Sequence, residues 1–224
     1  ILPVLEEKRQ KVKDLGLWTP AVSKEWGGLG LSLWEFGQVS EVLGRSPYGL
    51  FIFNCNAPDA GNIEVLATQG TEEQQKRFLR PLLAGKIRSC FSMTEPEHAG
   101  SNPVVMSTTA VRDGDDYVIN GQKVFITNGQ MCDFIVLAAK TDPSAGAKGV
   151  SLILVEADRA GFTKGRNLEK VGYKAQDTSE LFFQDVRVPV SNLIGMEGRG
   201  FAQLMDELPQ ERLLQAIRST SSVE

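Results

Sequence analysis

Residues 106–140 read MSTTAVRDGDDYVINGQKVFITNGQMCDFIVLAAK, and their pattern decides the fold. Met106 to Arg112, Tyr117 to Ile119, Gln122 to Thr127 and Phe134 to Lys140 are short runs rich in β-branched and aromatic residues, the composition of strands. Asp113-Gly114 and Asn120-Gly121 stand between runs. Both pairs tolerate positive φ, so the pattern predicts two tight hairpins. Val150 to Glu156 and Glu180 to Phe183 repeat the strand composition further on, after a polar loop from Asp142 to Lys148. So many short strands in succession predict an antiparallel β-barrel or sandwich over residues 88–195.

Upstream, residues 1–87 read as helices. Leu2, Leu5, Val12 and Leu15 are spaced to bury one helical face. The glycines of Trp26-Gly27-Gly28-Leu29-Gly30 interrupt the pattern. Ser32 then caps a helix through Trp34, Phe36, Val39 and Leu43 that ends near Gly44. Thr71-Glu72-Glu73-Gln74 is a capping box opening a helix through Phe78, Leu79, Leu82 and Leu83, with Gly85 as its stop and Pro81 as a point of distortion. Downstream, residues 196–224 return to helix. Phe201, Leu204, Met205 and Leu208 form one stripe, Leu213, Leu214 and Ile217 continue it, and Pro209 marks a kink or a new first turn. Helices, strands, then helices predict an α+β protein with segregated layers. The expected parts are an N-terminal helical domain (1–87), a β domain (88–195) and the beginning of a C-terminal helical bundle (196–224). Such an order names no function by itself.

The totals exclude several classes. The 224 residues carry a net charge of −4, so no basic surface invites nucleic acid. Apolar runs such as Phe134 to Ala139 are too short to span a bilayer. No charged-then-apolar leader follows Ile1, and a start there is read as processing or trimming. Cys55, Cys90 and Cys132 are read as reduced thiols, and a single histidine, His98, argues against a zinc site or a histidine triad.

Three blocks carry chemistry. Phe91-Ser92-Met93-Thr94-Glu95-Pro96 runs on into Glu97-His98-Ala99-Gly100-Ser101. Asn120 to Gly129 reads NGQKVFITNG, and Leu181 to Pro189 reads LFFQDVRVP. In this order and spacing they resemble the acyl-CoA dehydrogenase family: its TEPxAGS flavin loop, its NGxKxxITNG strand and turn, and its F-x-D-V-x-VP exit from the β domain. Taken singly, Thr94 and Thr127 read equally as strand residues, and Gly100-Ser101 as an ordinary turn. The resemblance covers essentially the whole chain and implies FAD. Phe91, Met93 and Thr94 would line one side of the flavin ring. Phe125, Ile126 and Thr127 would cover the other, with Phe125 as an apolar wall and the Thr127 hydroxyl near N5. Gly100 and Ser101 would lie by the pyrophosphate, with Ser101 also meeting the CoA end of the substrate. The Glu97 to Ser101 loop is one residue longer than the commonest family form, which leaves the register of Gly100 and Ser101 open. His98 is read as a surface loop residue.

Family chemistry removes a weakly acidic proton α to a thioester while a hydride leaves the β carbon. This needs a carboxylate in a desolvated slot. Leu208 to Leu214, LPQERLL, is similar to the long-chain form of the segment that carries this base, which places it at Glu211. Residues 161–166 (GFTKGR) and 174–181 (KAQDTSEL) resemble the same subtype. The other reading of Glu211 is a helix charge favoured by the dipole. The resemblance further implies fatty acyl-CoA substrates, an electron-transfer flavoprotein as acceptor, a homotetramer, and a bacterial cytoplasm or mitochondrial matrix. Acyl-CoA oxidases and flavin monooxygenases of the same fold are the enzymatic alternative. A non-catalytic fragment is the third reading. In the family the later helices, absent here, complete the adenosine pocket, so this chain alone is expected to turn over poorly.

Overall fold

The structure, a computed structural model, describes residues 2–100 and 102–223, with only the backbone of Pro103 and Glu207. Its helices are α1 (Leu2–Asp14), α2 (Leu33–Gly44), α3 (Gly49–Ile52), α4 (Asp59–Gln69), α5 (Glu72–Gln74), α6 (Arg80–Leu83) and α7 (Gly200–Ser221). Its strands are β1 (Ser89–Ser92), β2 (Thr109–Asp113), β3 (Asp116–Thr127), β4 (Phe134–Lys140), β5 (Val150–Glu156), β6 (Phe162–Asn167) and β7 (Thr178–Pro189). Two compact units divide the chain, Ile1–Glu64 with Met205–Glu224, and Val65–Leu204. Among the described residues no helix is long and apolar enough to cross a membrane.

In the first unit, Ser32 caps α2 as its sequence requires. The Glu35 N–H donates to Ser32 Oγ at 3.3 Å, and the Ser32 N–H donates to Glu35 Oε2 at 2.8 Å. Phe36, Leu43 and Cys55 form the core of the unit, with Val39, Leu50 and Leu214 packed against it. The face of α1 differs from expectation: Arg9 and Val12 are its buried residues, while Leu2 and Leu15 are exposed. Arg9 explains the change. Its guanidinium stacks over Trp18 (4.7 Å) and Phe51 (4.5 Å) and donates to the Phe51 carbonyl (2.5 Å) and Asn54 Oδ1 (3.3 Å). Stacking and hydrogen bonds together offset the loss of hydration. Pro209 lies inside α7, so the helix neither ends nor restarts there.

In the second unit the seven strands form one sheet in the order β1-β4-β2-β3-β7-β6, with β5 paired to β4. Antiparallel pairing dominates, with two parallel joints, β1 to β4 and β2 to β4. The sheet curls about one core that includes Cys90, Ala110, Ile119, Leu137, Ile153 and Leu181, drawn from six different strands. The Asp113-Gly114 signal produces the β2–β3 hairpin, with Asp113 opposite Asp116 and Gly114 at φ +63°. Asn120-Gly121 does not turn the chain: the two runs expected on either side of it are one strand, β3. The pair instead lies opposite a bulge in β7: Asn120 alone stands between Ile119 and Gly121, against both Gln184 and Asp185 between Phe183 and Val186. Gly121 has φ +154°, and a Cβ there would collide with the Thr108 side chain. Strand β6 was not expected. Its run FTKGRN lacks apolar alternation and is held through pairing with β7.

Strands β4 and β5 are buried along their whole length, which accounts for their continuous apolar runs. The helical segment 72–83 packs on this part of the sheet: the Phe78 and Phe134 rings lie 5.0 Å apart, and Gln74 Nε2 donates to the carbonyls of Ser191 and Leu193, both at 2.8 Å. Its capping box is formed at Thr71 and Gln74. Pro81 is accommodated by a π-turn over Gln75–Leu79, where the Arg80 N–H donates to the Gln75 carbonyl five residues back. A wider turn gives the proline ring room and absorbs the hydrogen bond it cannot make.

Candidate active site

Strand β1 runs straight into Met93-Thr94-Glu95, and β3 passes beside that segment. The Val124 N–H donates to the Thr94 carbonyl at 2.9 Å. The stronger tie is ionic. Lys123 Nζ is wholly buried and lies 3.0 Å from both Glu95 Oε1 and the Met93 carbonyl. Glu95 also accepts from the N–H groups of Ser107 (2.5 Å) and Thr108 (2.8 Å). Burial alone pushes the Glu95 carboxyl up, but the Lys123 charge and these donors outweigh it and hold it below the usual carboxylate range. Burial draws Lys123 down to about 8, against the pull of Glu95.

This pair welds the first motif to the second. Neither residue was singled out from the sequence, although a signal was present. In β3, Tyr117, Ile119, Gly121 and Lys123 alternate in phase, so Lys123 falls on the inward face and demands an acidic partner.

Around this clamp the expected flavin residues divide. Phe91, Met93 and Thr94 are half-buried along β1 and just beyond it. Gly100 folds back on Thr94, where a Cβ would lie 2.6 Å from the Thr94 Oγ1. Ser101 lies outside the described residues. Phe125 is 66% exposed at φ +61°, in the irregularity between Lys123 and Ile126 where β3 bulges against β7. A bulky residue in that region of φ is rare, and such strain collects at functional sites. Ile126 turns the other way, its side chain inside the sheet core, so only its backbone is available to a ligand. Thr127 is half-buried and pairs with Thr178.

The turn that follows is braced from beneath. Asn128 sits at φ +63° with Nδ2 donating to the Ser89 carbonyl (3.0 Å), and Gln130 Nε2 donates to the Gly165 carbonyl (2.8 Å) and Ser179 Oγ (3.0 Å). A shallow hollow of about 10 Å³ opens beside Met93, His98, Gly100 and Met106. His98 is engaged in its wall, 2.6 Å from Ser107 Oγ.

These residues fit a flavin. A strained, uncovered aromatic and half-buried Phe91 and Met93 offer apolar surface. The Thr94 and Thr127 hydroxyls offer donors, and a buried ion pair holds the two segments together.

Glu211 belongs to the other compact unit. It lies on α7 and reaches solvent. Partial burial of its carboxyl, and then the Glu64 carboxylate, push its pKa up, while Arg218 pulls it down. Glu64 itself accepts from Gln210 Nε2 at 2.9 Å.

Comparison with known proteins bears on the same residues. The family model for the N-terminal domain of acyl-CoA dehydrogenases matches residues 3–86, and that for the middle domain matches residues 90–186. The mitochondrial long-chain specific acyl-CoA dehydrogenase of Sus scrofa is 42% identical over 228 residues, covering 99% of this chain and 51% of that protein. A crystal structure of acyl-CoA dehydrogenase from Geobacillus kaustophilus superposes with a TM-score of 0.82 at 43% identity, over 97% of this chain and 57% of that one. A Mycobacterium abscessus structure provisionally assigned as an acyl-CoA dehydrogenase reaches a TM-score of 0.94 at 37% identity, over 99% and 56%. The chain spans about half the length of the curated relatives it matches. Two domain models match in succession, over the helical front and over the strands that carry the clamped loops, and on that ground the chain belongs to the acyl-CoA dehydrogenase family.

Proposed function

We propose that the protein catalyses the α,β-dehydrogenation of fatty acyl-CoA thioesters to trans-2-enoyl-CoA with FAD, its electrons passing to an electron-transfer flavoprotein. The observation that carries this reading is Glu211. The resemblance of residues 208–214 to the long-chain form assigns this carboxylate the role of base, and partial burial and a like charge raise its pKa. A raised pKa makes a carboxylate a better proton acceptor near neutrality. In this reading Glu211 takes the α-proton. Phe91, Met93, Thr94, Phe125 and Thr127, with the Ile126 backbone, hold the flavin ring. Gly100 and Ser101 serve the pyrophosphate, and Ser101 also the CoA end of the substrate. FAD, when bound, supplies the two-electron acceptor; the chain supplies the base, the walls and the exclusion of water. The same reading divides the chain into helical (1–87), flavin-loop (88–195) and base-bearing (196–224) segments. It places the protein as a homotetramer in a bacterial cytoplasm or a mitochondrial matrix.

The test is an anaerobic titration of the FAD-loaded full-length protein with a long-chain acyl-CoA, following the oxidised flavin band. Bleaching that disappears in Glu211→Gln is the expected result. Absence of bleaching with flavin and thioester both bound would overturn the proposal.

A further inference from the structure

Gly61 is a helical glycine without positive φ, in the first turn of α4, where alanine would suit the helix as well or better. No turn requires it. Its surroundings supply a reason. A methyl group on Gly61 would lie 2.5 Å from Glu211 Oε1 and 3.8 Å from Glu211 Cδ, with no other described atom outside its own helix within 4 Å. The absent side chain is therefore the space that the Glu211 carboxylate occupies. Glu64 follows three residues later on the same face of α4. It is tied to α7 by the 2.9 Å hydrogen bond from Gln210, the neighbour of Glu211. Two residues of one helix thus meet two consecutive residues of another.

We propose that Gly61 and Glu64 are positioning residues for Glu211: Gly61 leaves the slot in which its carboxylate rests, and Glu64, linked to Gln210, places a second negative charge beside it. The proposal rests on the reading of Glu211 as the base. Three charged or titratable groups act on this point: Glu64 from α4, Arg218 from α7, which opposes Glu64, and Cys55, which acts on Arg218. Taking away the Glu64 charge leaves burial alone to oppose Arg218, so Glu211 would ionise at lower pH.

The experiment compares Gly61→Ala, Glu64→Gln and Glu211→Gln in the FAD-loaded protein. Gly61→Ala keeps or raises the thermal midpoint, because alanine favours helix and only the mobile end of Glu211 must move. It lowers kcat on the order of 100-fold with KM little changed, the loss expected when a reacting group is displaced by about 1 Å. Glu64→Gln moves the acid limb of the kcat–pH profile to lower pH, which a merely structural role would not do. If Glu211→Gln loses flavin bleaching while Gly61→Ala keeps wild-type kcat or Glu64→Gln leaves the acid limb in place, the positioning role is overturned and the base assignment stands. If Glu211→Gln still bleaches, the base assignment fails and the positioning role falls with it.

Discussion

Lys123 carries a charge into the interior of a sheet, and Glu95 is what makes the placement tolerable. The pair is separated by 3.0 Å, and both side chains are almost fully enclosed. Breaking such a pair from one side leaves a bare buried charge. Lys123→Met should therefore cost about 3–5 kcal/mol, whereas Lys123→Met with Glu95→Gln should cost clearly less. Urea unfolding of the two variants checks this; equal losses would mean that the charges are not coupled. The pH dependence has a definite sign. Glu95 titrates below its ordinary value of 4.5, so its stabilisation is present above 4.5 and is lost as pH falls through the depressed value. Lys123→Met should remove that part of the acid sensitivity. At this scale the sequence showed the residues but not their pairing. Glu95 and Lys123 stand 28 positions apart, and only the phase of β3, continued past a bulge in β7, brings them together.

Local signals succeeded where the chain alone satisfies them. The capping boxes at Ser32 and Thr71 each span only four consecutive residues, and both are formed. Thr71→Ala should lower stability by about 1 kcal/mol, read as a shift in the unfolding midpoint with unchanged m. Asn120-Gly121 shows the limit of local reading. The dipeptide reports that the backbone can reach unusual φ, but a turn and a strand position opposite a bulge both accept that freedom. The decision lies with β7, where Asp185 takes φ +50° and exchanges hydrogen bonds with Asn120 at 2.9 and 3.0 Å. Strand β6 was missed for a related reason. Its edge pairing with β7 supplies the order that its polar composition does not advertise. Pro81 implies a distortion, and the π-turn before it is the form that distortion takes.

Taken as a whole, the molecule ties its proposed cofactor to the integrity of the sheet. A ligand bound only by the folded state stabilises it by mass action, about 2.7 kcal/mol at 100 times its dissociation constant. Removing flavin should lower the thermal midpoint, and restoring FAD should recover it. In Lys123→Met the shift on adding FAD should shrink, because the loops from β1 and β3 are no longer held to each other. A full shift in that variant would show that the flavin does not depend on the clamp. The sequence by itself determined the order of helices, strands and helices, the motif blocks and the family to which they belong. Each of those depends on nearest-neighbour chemistry or on residue order along the chain. Only the tertiary structure decided that Asn120-Gly121 continues a strand opposite a bulge in β7 rather than turning, that the Ile126 side chain faces inward while Phe125 faces out, that Lys123 meets Glu95, and that Gly61 makes room for Glu211. These depend on which distant backbone lies alongside, and burial and hydrogen bonding between segments far apart in the chain have no local signature strong enough to announce it.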